Sequence, residues 1–124
     1  MSKEFIRHLR LFADVSEEDL DRIYAMTVPI DLKAGDVLIE EDTVGDAMYI
    51  VLSGEFEVTK RSGKQEVMLD TRGSGEVIGE MSLLAKEPRT ATVRAVKDSQ
   101  VLEVSAFAFE QLLSCSRSAG RTGQ

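Results

Sequence analysis

The chain has 124 residues, 43% of them hydrophobic, which supplies one buried core and leaves no length for a second domain of any size. With 15 basic and 22 acidic residues its net charge is −7, which disfavours nucleic acid and membranes as partners. One cysteine and one histidine disfavour disulfides and metal sites, and without a long apolar run we expect a cytoplasmic protein.

Two N-terminal helices are predicted within residues 1–27. Phe5, Leu9 and Phe12 recur at the spacing of one helix face, which predicts a short amphipathic first helix running through Phe12. Ser16 is a suitable N-cap for the second helix, because Asp19 follows three residues later as in a capping box.

The pattern changes to that of a β region over residues 28–104. Glycines recur at intervals of nine or ten residues, which favours repeated strands and turns in a sandwich or barrel. Ser62 and Gly63 are predicted to form a hairpin tip. The clearest predicted strands are Val37–Glu40, Ala47–Leu52, Phe56–Thr59 and Glu66–Leu69, followed by alternating residues at 91–95 and 102–104.

Helical spacing returns over residues 105–115. Ser105 can cap a helix that presents Phe109, Leu112 and Leu113 on one face. Residues 116–124 are rich in Ser, Gly and Arg without an apolar stripe, so we expect a flexible tail there.

Residues 79–91 interrupt the β region with a segment of different character. Glu80 to Lys86 contain good helix formers between Gly79 and Pro88, which predicts one or two helical turns. The unpaired backbone N–H groups at the start of such a helix attract a phosphate, and Met81, Ser82 and Leu83 would supply them.

Two charged side chains complete this predicted site. Arg89 follows the short helix and can give a charge-assisted, bidentate contact to phosphate oxygens. A carboxylate beside a phosphate needs another donor, and for Glu80 a ribose hydroxyl is the best one. The segment therefore favours a sugar phosphate over free phosphate.

The same residues resemble the phosphate-binding cassette of cyclic-nucleotide-binding domains, such as those of catabolite-activator-like regulators and cyclic-nucleotide-dependent kinases. The resemblance rests on Gly79–Leu84 followed by Pro88–Val93, and continues through Lys33–Leu38 and Gly45–Glu55. It covers roughly residues 9 to 113 in order. One departure is that Asp42 and Thr43 stand where many members have Gly-Asp.

The resemblance implies a mainly β fold with flanking helices, an antiparallel β-barrel or jelly roll (double-stranded β-helix) that binds cAMP or cGMP. It implies that Glu80 accepts from the ribose 2′-hydroxyl and Arg89 pairs with the phosphate at a pocket rather than in the core. Leu69 and Thr90 would contact the base. A core position for Leu69 and a plain strand position for Thr90 are the alternatives. The implied ligand-binding residues are Leu69, Gly79, Glu80, Met81, Ser82, Arg89, Thr90 and Ala91.

Three functions compete for a domain of this kind. The leading one is a non-enzymatic sensor, without cofactor or metal, that relays nucleotide occupancy to an effector the sequence does not name. The second is an interaction module of the same fold that binds no ligand, and the third is a metal-dependent enzyme on a β-barrel. Glu80 and Arg89 argue against the second, and the single histidine argues against the third.

Overall fold

A computed structural model describes residues 2–7, 9, 12–79 and 87–111 of the chain. The predicted short helix over residues 80–86 and the predicted tail over residues 116–124 lie outside the described residues. The described elements are α1 (Ser2–Arg7), α2 (Glu17–Tyr24), β1 (Val28–Leu32), β2 (Val37–Ile39), β3 (Ala47–Ser53), β4 (Glu55–Ser62), β5 (Gln65–Gly73), β6 (Val77–Ile78), β7 (Thr92–Ala95) and β8 (Ser99–Ser105).

The second N-terminal helix begins as predicted and the first one ends earlier than predicted. The backbone N–H of Asp19 donates to Ser16 Oγ at 3.1 Å, which confirms Ser16 as the N-cap of α2. The prediction that one helix runs through Phe12 is wrong, because α1 ends at Arg7. Leu9 and Phe12 instead donate to the carbonyls three residues before them, which closes tight turns while Phe12 remains fully buried.

The strands form two antiparallel four-stranded sheets, in the orders β1-β8-β3-β6 and β2-β7-β4-β5. The hairpin tip at Ser62 and Gly63 is confirmed, since β4 ends at Ser62 and β5 begins at Gln65. Two strands were not predicted from the sequence, β1 and β6. β1 contains Pro29, which is compatible with a strand because β1 lies at the edge of its sheet.

Two apolar clusters hold these layers together. One packs the helices on the first sheet, with Phe12, Leu20 and Phe109 among its buried members. The other fills the space between the sheets, with Phe56 and Val101 fully buried. Side chains from the two faces of β3 belong to the two clusters, since Met48 and Ile50 pack with the helices while Val51 packs between the sheets.

The end of the β region leads directly into the last described helix. Residues 106–111 are helical, and the backbone N–H of Ala108 donates to Ser105 Oγ at 3.1 Å. This hydrogen bond confirms Ser105 as a cap; Leu112 and Leu113 lie outside the described residues. No helix among the described residues is long and apolar enough to cross a membrane.

Candidate functional site

Arg89 lies just before β7 and ties three segments of the chain together. Its backbone N–H donates to the carbonyl of Thr43 at 2.7 Å, and its carbonyl accepts from Asp42 at 2.8 Å. Its guanidinium donates from Nη1 to the carbonyl of Gly79 at 2.9 Å and from Nη2 to that of Ala47 at 2.5 Å. The side chain is therefore held in one position by acceptors from different parts of the fold.

This position corrects one expectation. Arg89 lies at a cavity, as expected, but it is also only 4% exposed. Burial of an arginine is tolerated here because backbone carbonyls replace the water that its N–H groups would otherwise bind. Arg89 thus has a structural role beside any ligand contact.

Two glycines make room for the guanidinium. A Cβ on Gly79 would lie 2.6 Å from Arg89 Nη1, and a Cβ on Gly45 would overlap the guanidinium itself. Gly79 also has φ +86°, a backbone conformation that residues with a Cβ rarely adopt. Any larger residue at either position would displace Arg89. The structure thus shows a role for Gly45 and Gly79 at the predicted site, which is to leave space for the Arg89 side chain.

A cavity of about 180 Å³ opens between the sheets beside this arginine. Arg89 and Gly79 line this cavity, and most of its other lining residues are aliphatic. Such a lining suits an anionic group beside Arg89 and an apolar or aromatic group against the aliphatic residues. The aliphatic wall consists of Ile39, Val58, Val77, Ile78, Ala91 and Val93, and the remaining lining residues are Thr90 and Arg72.

The predicted site residues divide into three groups. Gly79, Arg89, Thr90 and Ala91 all line the cavity. Leu69 is 55% exposed and is not among the lining residues, and a β-bulge in the pairing of β4 with β5 leaves it without a cross-strand partner. The others lie outside the described residues, and their roles stay predictions: Glu80, Met81 and Ser82.

A polar network supports the segment that carries Thr90. Lys60 on β4 donates from Nζ to the carbonyl of Thr90 at 3.1 Å and contacts Glu41 Oε2 at 3.2 Å. Glu41 Oε1 accepts from the backbone N–H of Arg61 at 2.9 Å. That hydrogen bond, with smaller contributions from Lys60, holds the pKa of Glu41 below its ordinary value of 4.5. The charged carboxylate of Glu41 therefore links β4 to the turn that follows β2.

A second depression, of about 410 Å³, shares Arg89 with the cavity and is lined also by Glu40, Thr43 and Tyr49. The hydroxyl of Tyr49 donates to Glu103 Oε2 at 3.4 Å. Burial, and then the negative charge of Glu103, raise the pKa of Tyr49 above 10.0. Among the residues that the structure describes, no cluster of three or more His, Cys, Asp or Glu side chains is placed to hold a metal ion.

Sequence reasoning missed one polar lining residue, Arg72 on β5. The only signal for Arg72 in the sequence is strand alternation, which places it on the same side of β5 as Asp70. Which side of the sheet that is depends on the β-bulge between β4 and β5. The apolar walls on β2, β4 and β7 were predicted as strand residues without an assignment to a site.

Comparisons with known proteins match most of this chain to one domain family and to parts of longer proteins. A sequence profile described as cyclic nucleotide-binding domain matches residues 29–115. An uncharacterized ABC transporter ATP-binding protein of Mycobacterium bovis is 38% identical over 91 residues, 73% of this chain and 28% of the relative. The cAMP-dependent protein kinase regulatory subunit of Yarrowia lipolytica is 30% identical over 109 residues, 88% of this chain and 28% of the relative. The chain spans little more than a quarter of the length of these curated relatives.

Solved structures agree with the sequence matches. The regulatory domain of Toxoplasma gondii PKA with cAMP superposes with a TM-score of 0.84 at 28% identity, covering 96% of this chain and 45% of that one. Thermus thermophilus catabolite activator protein gives 0.74 at 30% identity, covering 84% of this chain and 49% of that one. These superpositions confirm the predicted mainly β fold with antiparallel sheets and flanking helices.

Proposed function

The chain belongs to the family of cyclic nucleotide-binding domains, and on this premise we propose that its cavity binds cAMP or cGMP as a regulatory module. The observation that carries the proposal is the placement of Arg89. Its guanidinium is fixed beside Gly45 and Gly79 and lines a cavity whose other lining residues are mostly aliphatic. A cyclic nucleotide has the matching form, with a phosphate at one end and a flat base at the other.

In this proposal each predicted residue has a separate task. Arg89 pairs with the cyclic phosphate, and backbone N–H groups at Met81, Ser82 and Ala91 complete its cradle. Glu80 accepts from the ribose 2′-hydroxyl. Thr90 and Leu69 are assigned to the base; the lining position of Thr90 supports its assignment, whereas the exposure of Leu69 gives that assignment no support.

Arg89 has donors left for a phosphate beside its contacts within the chain. A guanidinium has five N–H donors, and the two carbonyls of Gly79 and Ala47 engage one N–H each. The remaining donors can meet phosphate oxygens if the segment after Gly79 supplies the facing N–H groups. Ligand binding would therefore act directly on the connection between this segment and β3, which is a route for relaying occupancy.

The proposed biological role is that of a sensor and not of an enzyme. We assign residues 1–115 to the sensor domain, residues 116–124 to a flexible tail, and the protein to the cytoplasm. The matches to the curated relatives, a kinase regulatory subunit and an ABC transporter ATP-binding protein, each cover 28% of the relative. We propose that occupancy is relayed to an effector domain or protein.

The decisive test of the site combines one substitution with one ligand change. Glu80→Gln should weaken binding of cAMP or cGMP about tenfold and leave the 2′-deoxy analogue nearly unaffected, because only the ribose form offers the hydroxyl. Calorimetric titration measures both. Glu87→Gln is the matched control, since Glu87 is an exposed carboxylate next to the same segment. Equal losses for both ligands would show that Glu80 does not meet the 2′-hydroxyl.

A further inference from the structure

Three hydrogen bonds join the turn after β2 to the residues around the start of β7. The backbone N–H of Asp42 donates to the carbonyl of Arg89 at 2.8 Å, and that of Arg89 donates to the carbonyl of Thr43 at 2.7 Å. The backbone N–H of Glu41 donates to Thr92 Oγ1 at 3.0 Å. These bonds lie on both sides of the two lining residues between Arg89 and Thr92, so the turn supports that part of the cavity wall.

Lys60 connects the same part of the wall to β4. It lies two residues after Val58, which lines the cavity, and residues two apart on a strand face the same side of the sheet. Thr59 pairs with Thr92, the first residue of β7, so Lys60 comes opposite the residues that precede β7. There Lys60 Nζ donates to the carbonyl of Thr90 at 3.1 Å. Lys60 is not itself a lining residue, and it reaches the cavity wall through Thr90.

Glu41 holds the ammonium of Lys60 in this position. Its carboxylate contacts Lys60 Nζ at 3.2 Å from Oε2 and accepts from the backbone N–H of Arg61 at 2.9 Å on Oε1. The side chain of Glu41 is 15% exposed and that of Lys60 is 51% exposed. An ion pair with so much solvent access adds little to stability by itself, so its main effect is to fix where the ammonium lies.

We propose that Lys60 and Glu41 are positioning residues for the cavity, which hold the carbonyl of Thr90 and so orient the backbone that carries Arg89 and Thr90. The inference deepens the proposed function and rests on it. A wall that is ordered before the ligand arrives avoids the cost of ordering it on binding. Without the ammonium, the carbonyl of Thr90 loses its partner on β4, and only the turn after β2 holds this segment. Loss of Lys60 should therefore weaken nucleotide binding more than it weakens the fold.

The test measures nucleotide affinity and amide hydrogen exchange in the full chain and its variants. Lys60→Met removes the ammonium and should weaken binding of cAMP and cGMP about tenfold. In the free chain it should speed exchange at the amides of Asp42 and Arg89 about tenfold and leave exchange along β8 unchanged. Lys60→Arg can still donate to both acceptors and should stay within about threefold of the unsubstituted affinity. Lys64→Met is the matched control, because Lys64 is exposed in the turn of the same hairpin and does not line the cavity.

A double-variant cycle shows whether the two residues act together. Glu41→Gln should weaken nucleotide binding about threefold in the unsubstituted chain and less than about twofold in the Lys60→Met background, where no ammonium is left to hold. An equal effect of Glu41→Gln in both backgrounds would overturn the joint role.

Affinity and exchange must change together in Lys60→Met. Weaker binding with unchanged exchange at Asp42 and Arg89 would overturn the inference by making Lys60 a direct ligand contact. Faster exchange with unchanged affinity would overturn it by making Lys60 a structural link only, and so would a variant that fails to fold. In either of the first two results the proposed function stands, whereas failure of the unsubstituted chain to bind both nucleotides would refute that function and this inference with it.

Discussion

Arg89 Nη2 donates to the backbone carbonyl of Ala47, a residue 42 positions earlier that begins β3. With the bond from Nη1 to Gly79, this contact joins the segment before β7 to both β3 and the end of β6. The arginine assigned to the phosphate is therefore also a connection within the folded chain. Substitutions of Arg89 should affect stability and affinity together.

Arg89→Leu should lower the free energy of unfolding by about 2–4 kcal/mol, because two carbonyls lose a charged donor in a buried place. It should also remove most nucleotide affinity, about 2–5 kcal/mol for a lost charged partner of a phosphate. Urea unfolding and calorimetric titration measure the two effects separately. Arg89→Lys keeps the charge but not the planar donor geometry. Its stability and its affinity should both lie between those of the unsubstituted chain and those of Arg89→Leu.

The comparison of these variants separates the two roles of Arg89. An unchanged unfolding free energy in Arg89→Leu would contradict the hydrogen bonds to Ala47 and Gly79. Unchanged affinity in a folded variant would contradict the phosphate assignment. Arg61→Leu serves as the control for loss of an exposed arginine.

Much of this arrangement could be predicted from local sequence patterns. The family and the mainly β fold are confirmed, since both rest on motifs and alternation that individual segments display. The buried state of Arg89 could not be predicted, because its acceptors at Ala47 and Gly79 are distant in sequence and are backbone groups of no particular residue type. The same reason applies to Gly45, whose spacing role exists only where Arg89 packs against it.

Thr90→Ala should weaken cGMP binding by about 1 kcal/mol and cAMP binding by less, because one neutral hydrogen bond to the guanine amino group is lost. Thr90 is a lining residue of the cavity and its carbonyl accepts from Lys60, so the substitution should leave the backbone in place. Titration of both nucleotides measures the difference. A larger loss for cAMP would refute the contact with guanine.

Asp42 has φ +71°, a conformation that suits glycine and that β-branched residues strongly disfavour. Asp42→Gly should change the unfolding free energy by less than about 0.5 kcal/mol, because relief of strain offsets the added flexibility of the unfolded chain. Asp42→Val should destabilise by about 1–2 kcal/mol. The backbone N–H of Asp42 donates to the carbonyl of Arg89, so Asp42→Val should also weaken nucleotide binding. Equal stability of the glycine and valine variants would contradict the positive φ at Asp42.

Stability should fall in acid because three carboxylates have lowered pKa values in the folded chain. Hydrogen bonds from Arg61, Thr59 and Arg72 are the largest causes for Glu41, Glu66 and Asp70, respectively. A lowered folded pKa means that the stabilisation is present above the ordinary values of 4.5 and 3.8 and is lost as pH falls through the folded values.

Urea midpoints at pH 6 and pH 3 measure this loss, and Glu41→Gln isolates one contributor. The variant should be less stable than the unsubstituted chain at pH 6, and the difference should shrink toward acid pH, because Glu41 loses its charge as pH falls through its lowered folded pKa. A difference in stability between the two chains that stays constant with pH would show that the charge of Glu41 does not stabilise the turn that follows β2.

The secondary structure shows the same division between local and distant information. Ser16 and Ser105 cap their helices as predicted, because a cap needs only a residue three positions away. The strand β1 depends on its pairing with β8, and the sequence patterns missed it, as they missed the end of α1 at Arg7. The position of Arg72 at the cavity was missed as well, because it depends on the pairing of Arg72 with Phe56 on β4.

Calorimetric titration of the chain with cAMP and cGMP, with noncyclic 5′-AMP as the control ligand, tests the central claim most directly. We predict saturable binding of one cyclic nucleotide per chain, much weaker binding of 5′-AMP, and loss of the cyclic-nucleotide signal in Arg89→Leu. The absence of saturable binding by either cyclic nucleotide at millimolar concentration, or binding that Arg89→Leu leaves unchanged, would contradict the account.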